Sequence, residues 1–341
     1  MSMLSRRAFV SGAAAFGAGA LLPWARAAHA LSQQTRAGKL EARAYFIMHT
    51  VVEVVAIGER GSDLVRACEA AAGACRAVEL RMNFHDPRSE LSRLNEAAGR
   101  GEWVEVSDEL LVVLEEARRI HIASSGAFDP GTGALVRLYR KTRESGAWPG
   151  ADEIARARES AGMDSVEIRG RRVRFGNSGM QLDLSGIAKG YAVDRAVAAM
   201  RGAGARAGVV NAGGDLFAFG GVADALPRAA IQDPQDAGRV RHELELLEEG
   251  LASSGDAEQG VVVAGRFCSH LIDPATGAPA RPSLGSASVR AASAMSADAW
   301  ASALYVRPAL AARAPVESLL IGPRGEEVSS ARFFSNSPRK G

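Results

Sequence analysis

Most of the residues able to do chemistry fall in five short blocks, each where an apolar run meets glycine or proline. In chain order they are Asp86-Pro87-Arg88-Ser89-Glu90-Leu91-Ser92-Arg93-Leu94-Asn95, Gly126-Ala127-Phe128-Asp129-Pro130, Asp183-Leu184-Ser185-Gly186-Ile187-Ala188-Lys189-Gly190-Tyr191-Ala192-Val193-Asp194, Asn211-Ala212-Gly213-Gly214-Asp215 and Ser269-His270-Leu271-Ile272-Asp273-Pro274. At such edges carboxylates, amides and a lysine can converge with backbone N–H groups on a phosphate and a divalent cation. One block would be weak evidence. Five in a fixed order argue for a nucleotide-handling enzyme.

The third block carries the sharpest chemistry. A strand delivers Asp183 to a turn, Gly186 lets the backbone approach a ligand, and a helix begins. Its first N–H groups and partial positive charge make an anion site. Lys189, in the first turn, is mildly disfavoured by the same dipole unless it faces an anion such as a pyrophosphate; a solvated surface lysine is the competing reading. Asn211 to Asp215 would suit a tight hairpin turn in any case, while the paired glycines also permit close ligand approach. His270, three residues before Asp273 and near Asp256, can transfer a proton or orient a ligand, or be a satisfied structural histidine. Asp298 and Ser302, one turn apart on a late helix, can offer two oxygens to one cation; a solvated carboxylate is the alternative.

Other chemistries are missing. There is no GxxxxGK[ST] loop, Gly202-Ala203-Gly204 does not complete a dinucleotide fingerprint, and no Gly-x-Ser-x-Gly elbow occurs. No CxxC, HExxH or histidine cluster suggests zinc. The three cysteines, Cys68, Cys75 and Cys268, cannot all pair within one chain. Cys68 and Cys75 stand roughly 10 Å apart along a helix, beyond disulfide reach, and read as core. No Lys/Arg stripe with interleaved aromatics points to nucleic acid, and no later apolar run is long enough to cross a membrane.

Residues 1–30 read as an export signal. Ser5-Arg6-Arg7-Ala8-Phe9-Val10 is a twin-arginine pattern, residues 13–22 are apolar and small, and cleavage sites follow at Ala25-Arg26-Ala27 or Ala28-His29-Ala30. The formal net charge is +2, and the signal holds three arginines and no acid, so the remainder is near neutral. Twin-arginine export carries folded proteins, which places the expected location in the periplasm. One domain is expected over 31–334, with a polar tail at 335–341.

Periodicity supplies the elements that must position the blocks. Residues 45–57 read as a strand and 62–82 as a helix capped at Ser62 or Asp63. Ser107 caps a second helix with Leu110, Leu114, Ala117 and Ile120 at helical spacing. Residues 166–175 form a hairpin over Arg169-Gly170-Arg171, 181–184 a short strand, and 186–200 a helix with Gly202 beyond its end. Segments 208–211 and 216–219 make a hairpin around Gly213-Gly214. Strands follow at 228–232 and 242–247, a helix at 295–306, and a last hairpin of 318–321 with 327–330. Strand pairs interleaved with helices predict an α+β domain of mixed or antiparallel sheets.

Taken together, from Met48 to Ser330, the blocks resemble the ApbE family, the FAD:protein FMN transferases. The resemblance implies a T-fold-like architecture and a reaction in which a Ser or Thr hydroxyl of a target flavoprotein attacks the pyrophosphate of FAD. FMN becomes phosphoester-linked and AMP leaves, with Mg2+ assisting. It places Met48, His85, Ala127, Phe128, Asp129, Asp183, Lys189, Asp215, Leu271 and Asp273 at FAD, and His270 in catalysis. Metal would be held by Gly186, Asp298, Ala301 and Ser302. Thr50 is kept from a Met-Gly-Thr motif in which His49 replaces the usual glycine, and His85 stands where many members carry a flavin-stacking Tyr. The implied partner is an acceptor flavoprotein, such as a subunit of a membrane redox complex. Two alternatives remain at this stage: Mg2+-dependent hydrolysis of FAD to FMN and AMP, and a non-catalytic flavin-binding assembly protein.

Overall fold

The computed structural model describes residues 39–97, 100–221, 227–255, 260–280 and 283–335. The signal expected at 1–30, Asp256, and all but the first residue of the tail lie outside the described residues.

The apolar run expected as one strand over 45–57 is a hairpin of β1 (Lys39–Ile47) and β2 (Thr50–Gly58), with Ile47 opposite Thr50. Met48 and His49 make the turn with φ of 54° and 58°, the left-handed pair that a two-residue hairpin turn requires. Neither residue is a usual turn former, which is why the pattern reads straight through. Helix α1 (Gly61–Met82) buries Leu64, Cys68, Ala71, Cys75, Val78 and Met82 on one face. The expected cap at Ser62 or Asp63 is not made: Arg60 holds the cap position, and Asp63 lies within the first turn, where its charge complements the dipole. Burial pushes the Cys68 and Cys75 thiols up to about 12, which leaves them unreactive core residues.

Next come α2 (Glu90–Ala97), β3 (Val104–Glu105) and α3 (Asp108–Ala123), the last capped by the Ser107 side chain accepting from Leu110 N at 3.2 Å. Helices α4 (Gly133–Ser145) and α5 (Ala151–Glu159) precede β4 (Val166–Arg169) and β5 (Arg172–Phe175), the expected hairpin, which joins β3 in a small sheet. The strand expected at 181–184 reduces to one bridge between Gln181 and Thr132. Helix α6 (Ser185–Gly202) includes Gly202 as its last residue. It leads into β6 (Ala207–Ala212) and β7 (Asp215–Phe219), paired about Gly213 and Gly214 at φ of 64° and 98°. The remaining strands are β8 (Arg228–Asp233), β9 (Asp236–Glu245), β10 (Glu249–Gly255), β11 (Val261–Val263), β12 (Arg266–Cys268), β13 (Ile272–Asp273), β14 (Ala278–Pro279) and β15 (Ser286–Ala291). Helix α7 (Ala294–Val306), β16 (Glu317–Ile321) and β17 (Glu327–Ser329) close the chain.

The principal sheet has the order β1-β2-β6-β7-β10-β15-β16-β17, and each adjacent pair is antiparallel. Alternation then sorts side chains. Val52, Val54, Val210, Phe217, Ala252 and Val289 share the main core with α1, α6 and α7. Val209, Leu216, Leu251, Leu319 and Ile321 form a second cluster with Ile231 of β8 and Leu244 of β9. The α+β expectation is met: two apolar layers sandwich one antiparallel sheet, with helices over one face.

Ala294, the first residue of α7, is wedged between α6 and β10. A Cβ on Gly190 would stand 2.2 Å from the Ala294 carbonyl oxygen, and one on Gly250 would stand 2.6 Å from its Cα. Only glycine allows this approach. Gly190→Ala is therefore expected to destabilise the chain by about 3 kcal/mol, visible as a fall of roughly 5–10 °C in Tm. A Tm within a degree of the parent would show that the helices are not so close.

Candidate active site

The entry to α6 is held from both sides. Asn95 Nδ2 donates to Leu182 O at 2.9 Å, and its Oδ1 accepts from Leu182 N at 2.8 Å. On the other side Gly133 N donates to Gln181 O at 3.0 Å and Asp183 N to Pro130 O at 2.8 Å. Asp183 Oδ1 accepts from Ser185 N at 2.9 Å, turning the chain into the helix. A side-chain amide thus replaces one neighbouring strand, so the segment is extended without belonging to a sheet.

One turn into α6, Lys189 reaches across to the start of β7 and donates to the Asp215 carboxylate. Its side chain is 30% exposed and that of Asp215 is 3% exposed, so the solvated-lysine reading fails. Lys189 faces an anion, and that anion belongs to the chain itself. Burial pulls the ammonium toward neutrality, but the charges of Asp215 and Asp298 outweigh it and keep Lys189 protonated. Asp298 is not solvated either. It is buried on α7, where its Oδ2 accepts from Gly190 N at 3.0 Å. Burial, reinforced by the charge of Asp215, pushes Asp298 up to about 8.

Ser302, one turn on and also buried, has its Oγ 3.4 Å from Ser254 Oγ at the end of β10. Gly186 abuts the same place: a Cβ on it would lie 3.2 Å from Ser302 Oγ and 3.4 Å from the Phe128 ring. Ala301 is buried in the middle of α7. No set of three or more His, Cys, Asp or Glu forms a metal cluster among the described residues. The oxygens grouped here are the Asp298 carboxylate and the Ser302 and Ser254 hydroxyls, with the Asp215 carboxylate within electrostatic reach, a donor set suited to a hard cation such as Mg2+ and unsuited to zinc. The residues fit the expected metal.

His85 marks a second side of the site. Its Nδ1 lies 2.6 Å from Arg140 Nη1 on α4. Burial, then the Arg140 charge, lower its basicity, while Asp183 and His49 also act on it. His85 is thus in contact with α4 and within electrostatic reach of the β1–β2 turn and the α6 entry. Met48 N donates to Glu79 Oε1 at 3.0 Å. A Cβ on Gly213 would stand 2.4 Å from Thr50 Oγ1, so this turn abuts that of the Asn211 block.

Asp129 is buried, and its Oδ1 accepts from Gly131 N at 2.7 Å and Met163 N at 3.0 Å, with Oδ2 3.6 Å from His121 Nδ1. Burial raises its pKa against the opposing His121 charge. These bonds brace the loop, beside buried Ala127 and Phe128. His270 is half-buried between β12 and β13. Cys268 and Ile272 pack in a small core with Leu135 and Tyr139 of α4, whereas Leu271 packs on the main core. His270 thus lies along the seam between the two cores. Asp273 shapes the next turn, its Oδ1 accepting from Ala275 N at 3.0 Å and its Oδ2 from Thr276 Oγ1 at 3.1 Å.

Sequence reasoning missed Ser254, whose only signal is a Ser253-Ser254-Gly255 strand end, and Arg140. It quoted Asp194 without giving it a task. Asp194 caps α7, its carboxylate accepting from Ala294 N at 2.8 Å and Met295 N at 2.9 Å. Burial pushes it up to about 6 despite those bonds.

The raised carboxylates fix a sign for pH dependence. Between the unfolded value near 4 and the folded value of about 8, Asp298 holds a proton in the folded chain that the unfolded chain releases. Metal-free stability should therefore fall as pH rises from 4 to 8, and the fall should flatten in Asp298→Asn. Thermal melts in EDTA across that range test this; parallel curves for the two chains would refute it.

A model of the ApbE family matches residues 48–321. The chain belongs to the ApbE family. It is 34% identical over 239 residues to the FAD:protein FMN transferase of Rhodobacter capsulatus, covering 68% of this chain and 46% of that protein. With the Haemophilus influenzae protein of the same name it shares 30% over 238 residues, covering 67% of this chain and 69% of the other. The chain thus spans about half the length of the first relative and about two thirds of the second. The ApbE flavin transferase of Vibrio cholerae superposes with a TM-score of 0.77 at 28% identity, covering 87% of this chain and 98% of that one. The ApbE protein of Thermotoga maritima gives 0.79 at 29%, covering 88% and 100%. In this ApbE chain the family model reaches from the β1–β2 turn to the end of β16, and so takes in all five blocks.

Proposed function

We propose that this ApbE-family chain transfers the FMN moiety of FAD to a Ser or Thr hydroxyl of an acceptor flavoprotein. The carrying observation is the meeting of Lys189, Asp215, Asp298 and Ser302 at the entry to α6, a cation-ready oxygen set beside a helix N-terminus. Relatives of the same family bear the name of that activity. Mg2+ held by Asp298, Ser302 and the carbonyls of Gly186 and Ala301 would neutralise charge on the pyrophosphate.

The chain's own residues supply the rest. The first N–H groups of α6 and the Lys189 ammonium receive phosphate oxygens. His85 and the β1–β2 turn bound the flavin side; Leu271 and the Asp273 turn bound the adenine side. His270 orients the acceptor hydroxyl and takes its proton as oxygen bonds to the FMN phosphorus and the bond to the AMP phosphate breaks. Attack in line needs placement more than covalent chemistry, which suits a site built from rigid helix and strand ends. The acceptor we favour is an exported flavoprotein, such as a subunit of a membrane redox complex, with this chain reaching the periplasm through the signal at 1–30.

Incubating the chain with FAD, Mg2+ and a candidate acceptor domain should leave flavin fluorescence on the denatured acceptor and release AMP. AMP and FMN without labelled acceptor would instead establish hydrolysis. Binding of FAD with no AMP would establish an assembly protein.

A further inference from the structure

Two buried carboxylates, Asp215 and Asp298, share one ammonium. Lys189 is hydrogen-bonded to the first and lies within electrostatic reach of the second. Its position in the first turn of α6 is one the helix dipole disfavours for a cation. What holds it there is the Asp215 carboxylate, to which it is hydrogen-bonded. The same oxygens suit a hard divalent cation, which attracts a carboxylate pair more strongly than a single charge does. Both cannot be neutralised twice. Lys189 has a way out, because its side chain is long and 30% exposed, whereas both carboxylates are buried, Asp215 at the start of β7 and Asp298 within α7.

We propose that Lys189 is the placeholder cation of this site. Entry of a divalent metal displaces its ammonium from Asp215, and the released ammonium becomes the charge that meets phosphate at the α6 N-terminus. The metal-free site is kept neutral by its own lysine, so metal and phosphate are taken up together. This rests on the metal-assisted reading above, and its test therefore uses Mn2+ without FAD.

In the parent chain, acetic anhydride labelling followed by peptide mass spectrometry should show Lys189 becoming several-fold more reactive when Mn2+ is added, with exposed Lys141 unchanged as reference. Unchanged Lys189 reactivity at Mn2+ concentrations that fill the site overturns the displacement. Lys189→Met should bind Mn2+ roughly tenfold more tightly by electron paramagnetic resonance titration, because the competing charge is gone; equal or weaker binding overturns it as well. If that variant does not fold, the labelling of the parent chain decides alone. Absence of Mn2+ binding by either chain would overturn the metal assignment itself, a separate failure.

Discussion

Asp298→Asn is expected to keep its fold and lose FMN transfer by on the order of 10³-fold. The amide has the shape of the carboxylate, and its oxygen can still accept from Gly190 N, so the α6–α7 contact survives. What disappears is the negative charge a divalent cation requires. Burial already raises Asp298 to about 8 in the metal-free chain, so a neutral side chain there costs the apo fold nothing and should raise its Tm near neutral pH. Rate against Mg2+ concentration, with Tm in EDTA, separates the two effects. Full activity at saturating Mg2+ would remove Asp298 from the ligand set.

His270→Ala should lower transfer by about 10²- to 10⁴-fold, the range for loss of a general acid or base. FAD affinity should change far less, because phosphate is met by the α6 N-terminus and Lys189 and not by His270. A purely structural histidine at that seam predicts the reverse, with Tm and FAD affinity falling together and turnover preserved per bound FAD. Measuring rate, affinity and Tm on one variant distinguishes them.

Elements that announce themselves by local chemistry were legible in the sequence. Ser107 as a cap, the Gly170 turn, the Gly213-Gly214 turn and the helix after Asp183 all depend on residues within a few positions. Where the determinant lies far away the reading slipped. Residues 181–184 look like a strand because their backbone is extended, yet the partner is the Asn95 side chain. His49 adopts a left-handed turn that its type does not advertise, which hid a hairpin. Strands β10 and β15 are rich in Ser, Ala and Gly, with Val289 their one β-branched residue, so the signal of a strand is weak; at Gly250 the close approach of Ala294 excludes any side chain. At the site, spacing put Asp298 and Ser302 one turn apart on one helix, and both lie buried on α7. Burial of Asp298, and capture of Lys189 by Asp215, depend on α6, α7 and β7 packing together, which no local pattern encodes.

The strand order carries a kinetic consequence. Glu53 of β2 and Asn211 of β6 are joined by a hydrogen bond although they stand 158 positions apart, and β10 must pair with β7 on one edge and β15 on the other. Such pairings demand large loop closures before any contact rewards them, so folding should be slow for the chain's size. Asp215 and Asp298 become neighbours only when α7 docks. A nascent chain therefore carries an open apolar sheet face until its last third has been synthesised, and a helper that shields this face should raise the yield of active protein more than it raises the speed of any single step.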